Sequence, residues 1–172
     1  MEDMENMDFE AMHDRQFGEL MELLDAHRMK ELQLRLEDMN EFDVAEFLTE
    51  VGDNRMPMVF RLLSKETAAD VFANFDAPEQ EQIINSITDS ELSAIIEELY
   101  VDDAVDMMEE LPANVVKRVM RNATPQTRNL INQYLNYPEN SAGSIMTAEF
   151  VDLKKYMNVR ESIARIRRIG ED

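Results

Sequence analysis

Cysteine and tryptophan are missing from this 172-residue sequence, and glycine and histidine are scarce, with four and two residues respectively. Without cysteine the chain has no disulfide, no thiolate zinc site and no thiol nucleophile. The four glycines are too widely spaced for a glycine-rich phosphate loop. The two histidines, His13 and His27, have no nucleophile at a spacing typical of catalysis. Enzyme is therefore the weakest functional class, and we expect no catalytic activity.

The sequence also lacks a long apolar run and an excess of positive charge. No apolar stretch approaches the roughly 18 residues that a membrane-spanning helix needs, and the acidic N-terminus does not resemble a signal peptide. The 17 basic side chains are outnumbered by 37 acidic ones, which gives a formal charge of −20. This balance disfavours nucleic-acid binding, which needs a cationic surface. It favours the attraction of cations or of a basic partner, or serves solubility alone.

A twelve-residue repeat runs through the middle of the chain. Octets that start at residues 44, 56, 68, 80, 92, 104, 116 and 128 all have a large apolar fourth residue and an apolar eighth residue. The fifth residue is also apolar in all of them except the last, where it is Asn132. Apolar residues at positions i, i+1 and i+4 lie on one face of an α-helix. The fourth-position residues are Phe47, Val59, Val71, Ile83, Ile95, Met107, Val119 and Ile131.

The repeat predicts an all-α fold. Helices of about ten residues are marginal alone, so each must bury its apolar stripe on its neighbours. Two such helices per 24 residues stack into an α-solenoid, a superhelix whose hand the sequence leaves open. Helix starts keep the same spacing, and Thr88 and Asp76 each precede a glutamate by three residues, as in a capping box. The predicted N-cap residues are Asn40, Ser64, Asp76, Thr88 and Thr124.

Charge and pattern divide the chain into three parts. Residues 1–19 form an acidic N-terminal segment with little pattern, and residues 20–135 form the predicted superhelix. Residues 136–172 are interpreted as a linker followed by the truncated start of a second domain, with a basic amphipathic helix near the end. Residues 1–110 carry 31 acidic and 7 basic side chains, whereas residues 111–172 carry 6 and 10. The predicted superhelix is therefore acidic along most of its length.

Three aspartates are candidate ligands for a divalent cation. Asp102 and Asp106 are four residues apart, so their side chains share one helix face and repel each other when unpaired. Asp70 occupies the same octet position as Asp106, and we expect the three to share one exposed acidic surface. Ligand sets made only of oxygen suit Mg²⁺ or Ca²⁺, and no EF-hand pattern is present. The alternative is that Asp102 and Asp103 merely favour a helix N-terminus and that Asp106 is a solvated residue.

The end of the repeat resembles a known family. The segment YPENSAGSIMTAEFVDL, with Ala142-Gly143 and Met146-Thr147, resembles the junction between the N domain and the first CBS domain of MgtE magnesium transporters. Two preceding segments, KETAADVFANFDAPEQEQIINSI and EELYVDDAVDMMEELP, resemble the helical N domain of that family. The likeness covers about residues 20–172 and implies the same superhelical fold.

The resemblance also implies a function. In that family the N and CBS domains are cytosolic, the transporter is a homodimer, and Mg²⁺ bound between acidic N and CBS faces favours the closed pore. The N-domain ligands of the family align with Asp70, Asp102 and Asp106. The expected partners are therefore the chain's own CBS and transmembrane domains, at the cytoplasmic face of the cell membrane. CBS domains of some relatives bind nucleotides, and the strands needed for that are absent here.

A second reading remains open. The short-helix repeats also resemble, more weakly, the flagellar motor-switch protein. That likeness implies a protein-binding helical-repeat scaffold, in which the acidic face has no role in metal binding.

Overall fold

The structure, a computed structural model, describes residues 2–138, 141–147 and 150–169, with the backbone alone for residues 2–12 and 14. The described residues contain α-helices and one short 3-10 turn, and none of them lies in a β-strand. The helices are α1 (Glu2–Asp25), α2 (Met29–Glu37), α3 (Glu41–Val51), α4 (Met56–Phe60), α5 (Lys65–Ala73), α6 (Ala77–Ser86), α7 (Asp89–Glu98), α8 (Val101–Glu110), α9 (Ala113–Asn122), α10 (Pro125–Tyr134) and α11 (Val159–Ile169).

The predicted twelve-residue spacing is confirmed by the helix boundaries. Helices α5 to α10 begin at residues 65, 77, 89, 101, 113 and 125, and each is nine or ten residues long. Helix α4 departs from this length, with five residues. The connections on either side of it, residues 52–55 and 61–64, are longer than those between α5 and α10, and Gly52 supplies a positive φ of 82° in the first of them. Only glycine adopts such a backbone conformation without strain.

Alternate helices pack against each other, which builds two layers. Helices α3, α5, α7 and α9 follow one another in one layer, whereas α4, α6, α8 and α10 form the other. The layers meet where α3 contacts α4, where α5 contacts α8 and where α6 contacts α9. This is the arrangement of an α-solenoid, in which each repeat packs mainly on its neighbours. The predicted fold class is therefore confirmed.

One continuous hydrophobic core runs between the layers. The large apolar residue at the fourth position of all eight octets is buried. Phe17, Leu20 and Leu24 of α1 join the same core, so α1 caps the first end of the stack. The boundary predicted between residues 19 and 20 falls inside α1 and is not marked by a break in the helix.

The predicted N-caps are formed at four of five positions. Asn40 accepts a hydrogen bond from the backbone N–H of Phe42, and Ser64 and Thr124 accept from the third residue of their helices. Thr88 and Glu91 form the complete reciprocal capping box. Asp76 begins α6 in extended conformation, but its side chain makes no capping hydrogen bond. The capping box expected between Asp76 and Glu79 is therefore wrong.

Long-range polar contacts connect helices three apart in the chain. The carboxylate of Glu37 accepts from the backbone N–H of Ser64 and the hydroxyl of Thr67, both at 2.6 Å. Glu97 makes the equivalent contacts with the N–H of Thr124 and the hydroxyl of Thr127, both at 2.9 Å. These two glutamates are five twelve-residue units apart, so the same contact recurs at equivalent positions of the repeat. Each adds a negative charge at a helix N-terminus, where the helix dipole favours it.

Residues after α10 form a turn and a separate helix. The 3-10 turn Ala142–Ser144 follows α10, and α11 begins at Val159, after a turn at residues 155–156. None of the side chains of α11 is buried, and Val159, Ile163 and Ile166 leave an apolar face exposed. Helix α11 lies outside the hydrophobic core formed by the described residues. Over the same described range, no helix has both the length and the apolar character needed to cross a bilayer.

Candidate functional site

Helix α8 positions two of the three predicted ligands. Its apolar side chains Val101, Ala104, Val105, Met107 and Met108 are buried in the core. The other face of the helix carries Asp102, which is half-buried, and Asp106 and Glu109, which are exposed. Asp102 and Asp106 share this face because they are four residues apart on one helix, and the buried apolar stripe turns that face away from the core.

A cleft of about 260 Å³ lies over this face. Three segments of the chain form it: helix α8, the C-terminal end of α10 together with Tyr137, and residues 141–147, the junction after α10. Its walls combine three carboxylates with two tyrosines. The lining residues are Asp102, Val105, Asp106, Glu109, Tyr134, Tyr137, Ser144 and Met146.

One carboxylate oxygen of a residue that lines this cleft has no hydrogen-bond partner among the described residues. The Oδ1 atom of Asp102 is buried, and no hydrogen-bond donor reaches it from the described part of the chain. A buried polar atom left without a partner costs about 1–3 kcal/mol, and more when it carries charge. A cation bound at Asp102 would provide the missing partner.

The oxygen donors of the cleft suit a hard divalent cation. Mg²⁺ binds one or two carboxylates and keeps several of its waters, and the cleft volume leaves room for such waters. Within the described ranges, however, no three His, Cys, Asp or Glu side chains are grouped closely enough to hold a metal ion by themselves. Asp102 and Asp106 therefore supply part of a ligand set, which water or another surface must complete.

Asp70 does not line this cleft. It lies on α5, in the other layer, because residues 70 and 106 are separated by an odd number of twelve-residue units. Partial burial and the negative charges of Glu41 and Glu66 raise the pKa of Asp70 above its ordinary value. Helices α5 and α8 do contact each other where the layers meet. The shared role of Asp70 with Asp102 and Asp106 remains a prediction.

Asp70→Asn is expected to raise the free energy of unfolding at neutral pH by about 0.2–0.5 kcal/mol, because it removes the like-charge pair with Glu66 four residues away. A raised pKa means that ionised Asp70 destabilises the folded chain. This penalty is complete above the folded-state pKa and is relieved as the pH falls towards 3.8. Urea unfolding across this pH range should show the stabilisation shrinking as the pH falls. A variant less stable than the parent at neutral pH contradicts this account.

The junction after α10 contributes residues that sequence reasoning did not assign to the site. Tyr137, Ser144 and Met146 lie in a stretch interpreted as a linker, yet they line the same cleft as Asp102. Their approach to α8 depends on how the chain turns after α10, and no local pattern encodes that turn. One signal was available, since Gly143 in a short segment with two tyrosines upstream suggests a close approach between backbone and ring.

Comparisons with known proteins agree with this architecture. Residues 39–140 match the family model described as the MgtE intracellular N domain. The chain is 28% identical over 157 residues to the magnesium transporter MgtE of Thermus thermophilus, which covers 89% of this chain and 35% of the transporter. It is 16% identical over 149 residues to MgtE of Bacillus subtilis, covering 87% and 33%. The chain thus spans about a third of the length of these curated relatives.

Two solved structures share the fold. A crystal structure of the soluble part of a magnesium transporter superposes with a TM-score of 0.81 at 22% identity, covering 92% of this chain and 63% of that chain. The cytosolic domain of the Mg²⁺ channel MgtE in complex with ATP superposes with a TM-score of 0.75 at 29% identity, covering 89% and 63%. The family model spans more than half of the sequence, and this chain therefore belongs to the MgtE intracellular N domain family.

Proposed function

We propose that this chain is the magnesium-sensing regulatory domain of an MgtE-type magnesium transporter and acts at the cytoplasmic face of the membrane without catalysing a reaction. Membership of the MgtE intracellular N domain family supports the assignment to an MgtE-type transporter, and the cleft supports the magnesium-sensing role. The observation that carries the proposal is the buried Oδ1 of Asp102, which has no hydrogen-bond partner among the described residues and belongs to a side chain on the same helix face as Asp106.

The acidic character of the domain explains how it would respond to Mg²⁺. Asp102 and Asp106 hold the ion on the domain side, and acidic side chains of the CBS domain hold it on the other. When bound, the ion supplies positive charge between two faces that otherwise repel each other. Because the carboxylates bind it better when the faces are together, ion binding shifts the population towards the closed arrangement. Coupling of this kind typically amounts to about 1–3 kcal/mol.

The partners follow from the same proposal. They are the CBS and transmembrane domains of the same polypeptide, and the full-length transporter is proposed to be a homodimer. By itself the chain supplies too few ligands for tight binding, since no three potential ligands are grouped within its described residues. We therefore expect weak and largely water-mediated Mg²⁺ binding by this chain alone.

The test is a Mg²⁺ titration followed at the backbone amides. We expect saturable chemical-shift changes confined to α8 and the residues that face it across the cleft. They should disappear in the double variant Asp102→Asn plus Asp106→Asn, because both carboxylates on the shared face are removed. A matched control, Glu46→Gln plus Glu50→Gln, removes two exposed carboxylates at the same spacing on α3. That control should retain the changes.

Two other results would overturn the proposal. Diffuse shifts that NaCl reproduces at equal ionic strength indicate non-specific screening and support the helical-repeat scaffold instead. Retention of local shifts in the Asp102/Asp106 double variant rules out these ligands. In the full-length transporter, the same double change should weaken closure of the pore by Mg²⁺ by about 5–150-fold in the ion concentration required.

A further inference from the structure

The junction after α10 is folded into one defined turn. The backbone N–H of Ser141 donates to the carbonyl of Pro138 at 3.1 Å, and that of Ser144 donates to the carbonyl of Ser141 at 3.2 Å. The hydroxyl of Ser144 also donates to the carbonyl of Ser141 at 3.0 Å. The two bonds from Ser144 close the 3-10 turn Ala142–Ser144. They place Ser144, and Met146 beyond it, at the wall of the cleft that faces α8.

Gly143 lies directly against the ring of Tyr137. A Cβ atom built on Gly143 would lie 2.5 Å from Cδ1 and 2.6 Å from Cγ of Tyr137. Side-chain carbon atoms do not approach so closely, so any other residue would force the ring and the turn apart. Gly143 does not have a positive φ, unlike Gly52. Glycine is needed here because of space, and backbone conformation does not require it.

The Tyr137 ring is itself held in place. It packs edge-on against Tyr134, with ring centroids 5.7 Å apart and an interplanar angle of 88°. Tyr134 is buried in the core, and the backbone N–H of Tyr137 donates to the carbonyl of Tyr134 at 3.0 Å. Such edge-to-face pairs contribute about 0.5–1.5 kcal/mol beyond burial. The Tyr137 ring is therefore held at the end of the solenoid, and Gly143 packs against this ring.

We propose that the Tyr137–Gly143 contact positions the junction, residues 141–147, as a wall of the Asp102–Asp106 cleft, and so links occupation of the cleft to the direction in which the chain leaves the solenoid. This proposal rests on the proposed function, because it takes Mg²⁺ as the occupant. Tyr137 and Gly143 are positioning residues in it and do not bind the ion. An ion in the cleft favours the conformation in which the 3-10 turn packs on Tyr137. That conformation in turn favours ion binding, because coupling between two sites is reciprocal.

A pair of labels across the junction tests the contact. The chain has no cysteine, so Gln133→Cys and Lys155→Cys give two unique attachment sites for nitroxide labels at exposed positions. In the ion-free parent we expect a narrow distance distribution, because the turn is seated on Tyr137. In Gly143→Ala we expect a broad one. The matched control is Gly18→Ala, where nothing lies within 4 Å of the added Cβ, and it should resemble the parent.

Mg²⁺ alone then tests the coupling. Its addition should narrow the parent distribution further, and the apparent dissociation constant should rise at least about fivefold in Gly143→Ala, the lower end of ordinary coupling. In a Tyr137→Ala background, the further change Gly143→Ala should have little effect on either readout, because the clash is gone. Thermal unfolding followed by circular dichroism confirms that the solenoid remains folded in each variant.

The outcomes separate the two proposals. If Gly143→Ala and Gly18→Ala give the same distribution and the same Mg²⁺ affinity, the positioning role is overturned. If Gly143→Ala broadens the ion-free distribution but Mg²⁺ leaves the parent unchanged, the link between cleft and junction fails, whereas the proposed function is overturned only if the amides of α8 also show no saturable response to Mg²⁺. If the parent responds to Mg²⁺ with equal affinity in both glycine variants, the proposed function stands and the positioning proposal fails.

Discussion

Phe47→Ala is expected to lower the free energy of unfolding by about 3–5 kcal/mol, the usual cost of removing a large aromatic side chain from a core. Phe47 is 0% exposed and lies on α3, at the first of the eight equivalent core positions. Its ring packs edge-on against Phe17 of α1, with centroids 5.4 Å apart. The change therefore opens a cavity at the place where α1 meets the stack. Urea unfolding followed by far-ultraviolet circular dichroism measures the cost.

The matched control is Phe42→Ala on the same helix. Phe42 is 60% exposed, so its loss should change stability by no more than about 0.5 kcal/mol. Because repeats of a solenoid pack mainly on their neighbours, Phe47→Ala should also speed amide exchange in α1 to α5 more than in α9 and α10. Equal costs for the two phenylalanines, or uniform loss of protection, would contradict the stacked arrangement of the helices.

The repeat was predictable because every unit repeats the same physical requirement. A short helix is stable only when its stripe is buried, so the large apolar residue at one position recurs and is buried every time. Ser64, Thr88 and Thr124 were predictable for a similar reason, since each satisfies free N–H groups at a helix start. Asp76 has the same residue chemistry and forms no such bond. The residue type at the N-cap therefore predicts where a helix begins better than it predicts whether the side chain forms a capping hydrogen bond.

The candidate site was only partly predictable. Asp102 and Asp106 share a face because both lie on one helix, which spacing alone determines. Asp70 lies in the other layer, because successive helices alternate and a twelve-residue period does not distinguish the layers. The wall formed by Tyr137 and Ser144 depends on the close approach of Gly143 to the Tyr137 ring. Such tertiary contacts are not encoded by local periodicity.

Arg118→Met is expected to lower the free energy of unfolding by about 2–3 kcal/mol, because hydrogen bonds of charged groups contribute roughly 1.5–3 kcal/mol. Arg118 of α9 donates to the carbonyls of Ile84 and Ile87 at the end of α6, and to Asp89 of α7 at 2.9 Å. A positive charge there also favours the helix C-terminus. Methionine keeps the apolar stem, so the measured cost reports the guanidinium. Urea unfolding at neutral pH is the measurement.

Arg121→Met is the matched control, since Arg121 also faces Asp89 but at 3.6 Å and with 70% of its side chain exposed, against 23% for Arg118. Exposed ion pairs contribute about 0–1 kcal/mol, so this change should cost little. Repeating Arg118→Met in an Asp89→Asn background separates the ion pair from the carbonyl contacts. We expect Arg118→Met to retain most of its cost in the Asp89→Asn background, because the carbonyls of Ile84 and Ile87 still lose their donor. Equal costs for Arg118→Met and Arg121→Met would mean that Arg118 does not hold α9 against the end of α6.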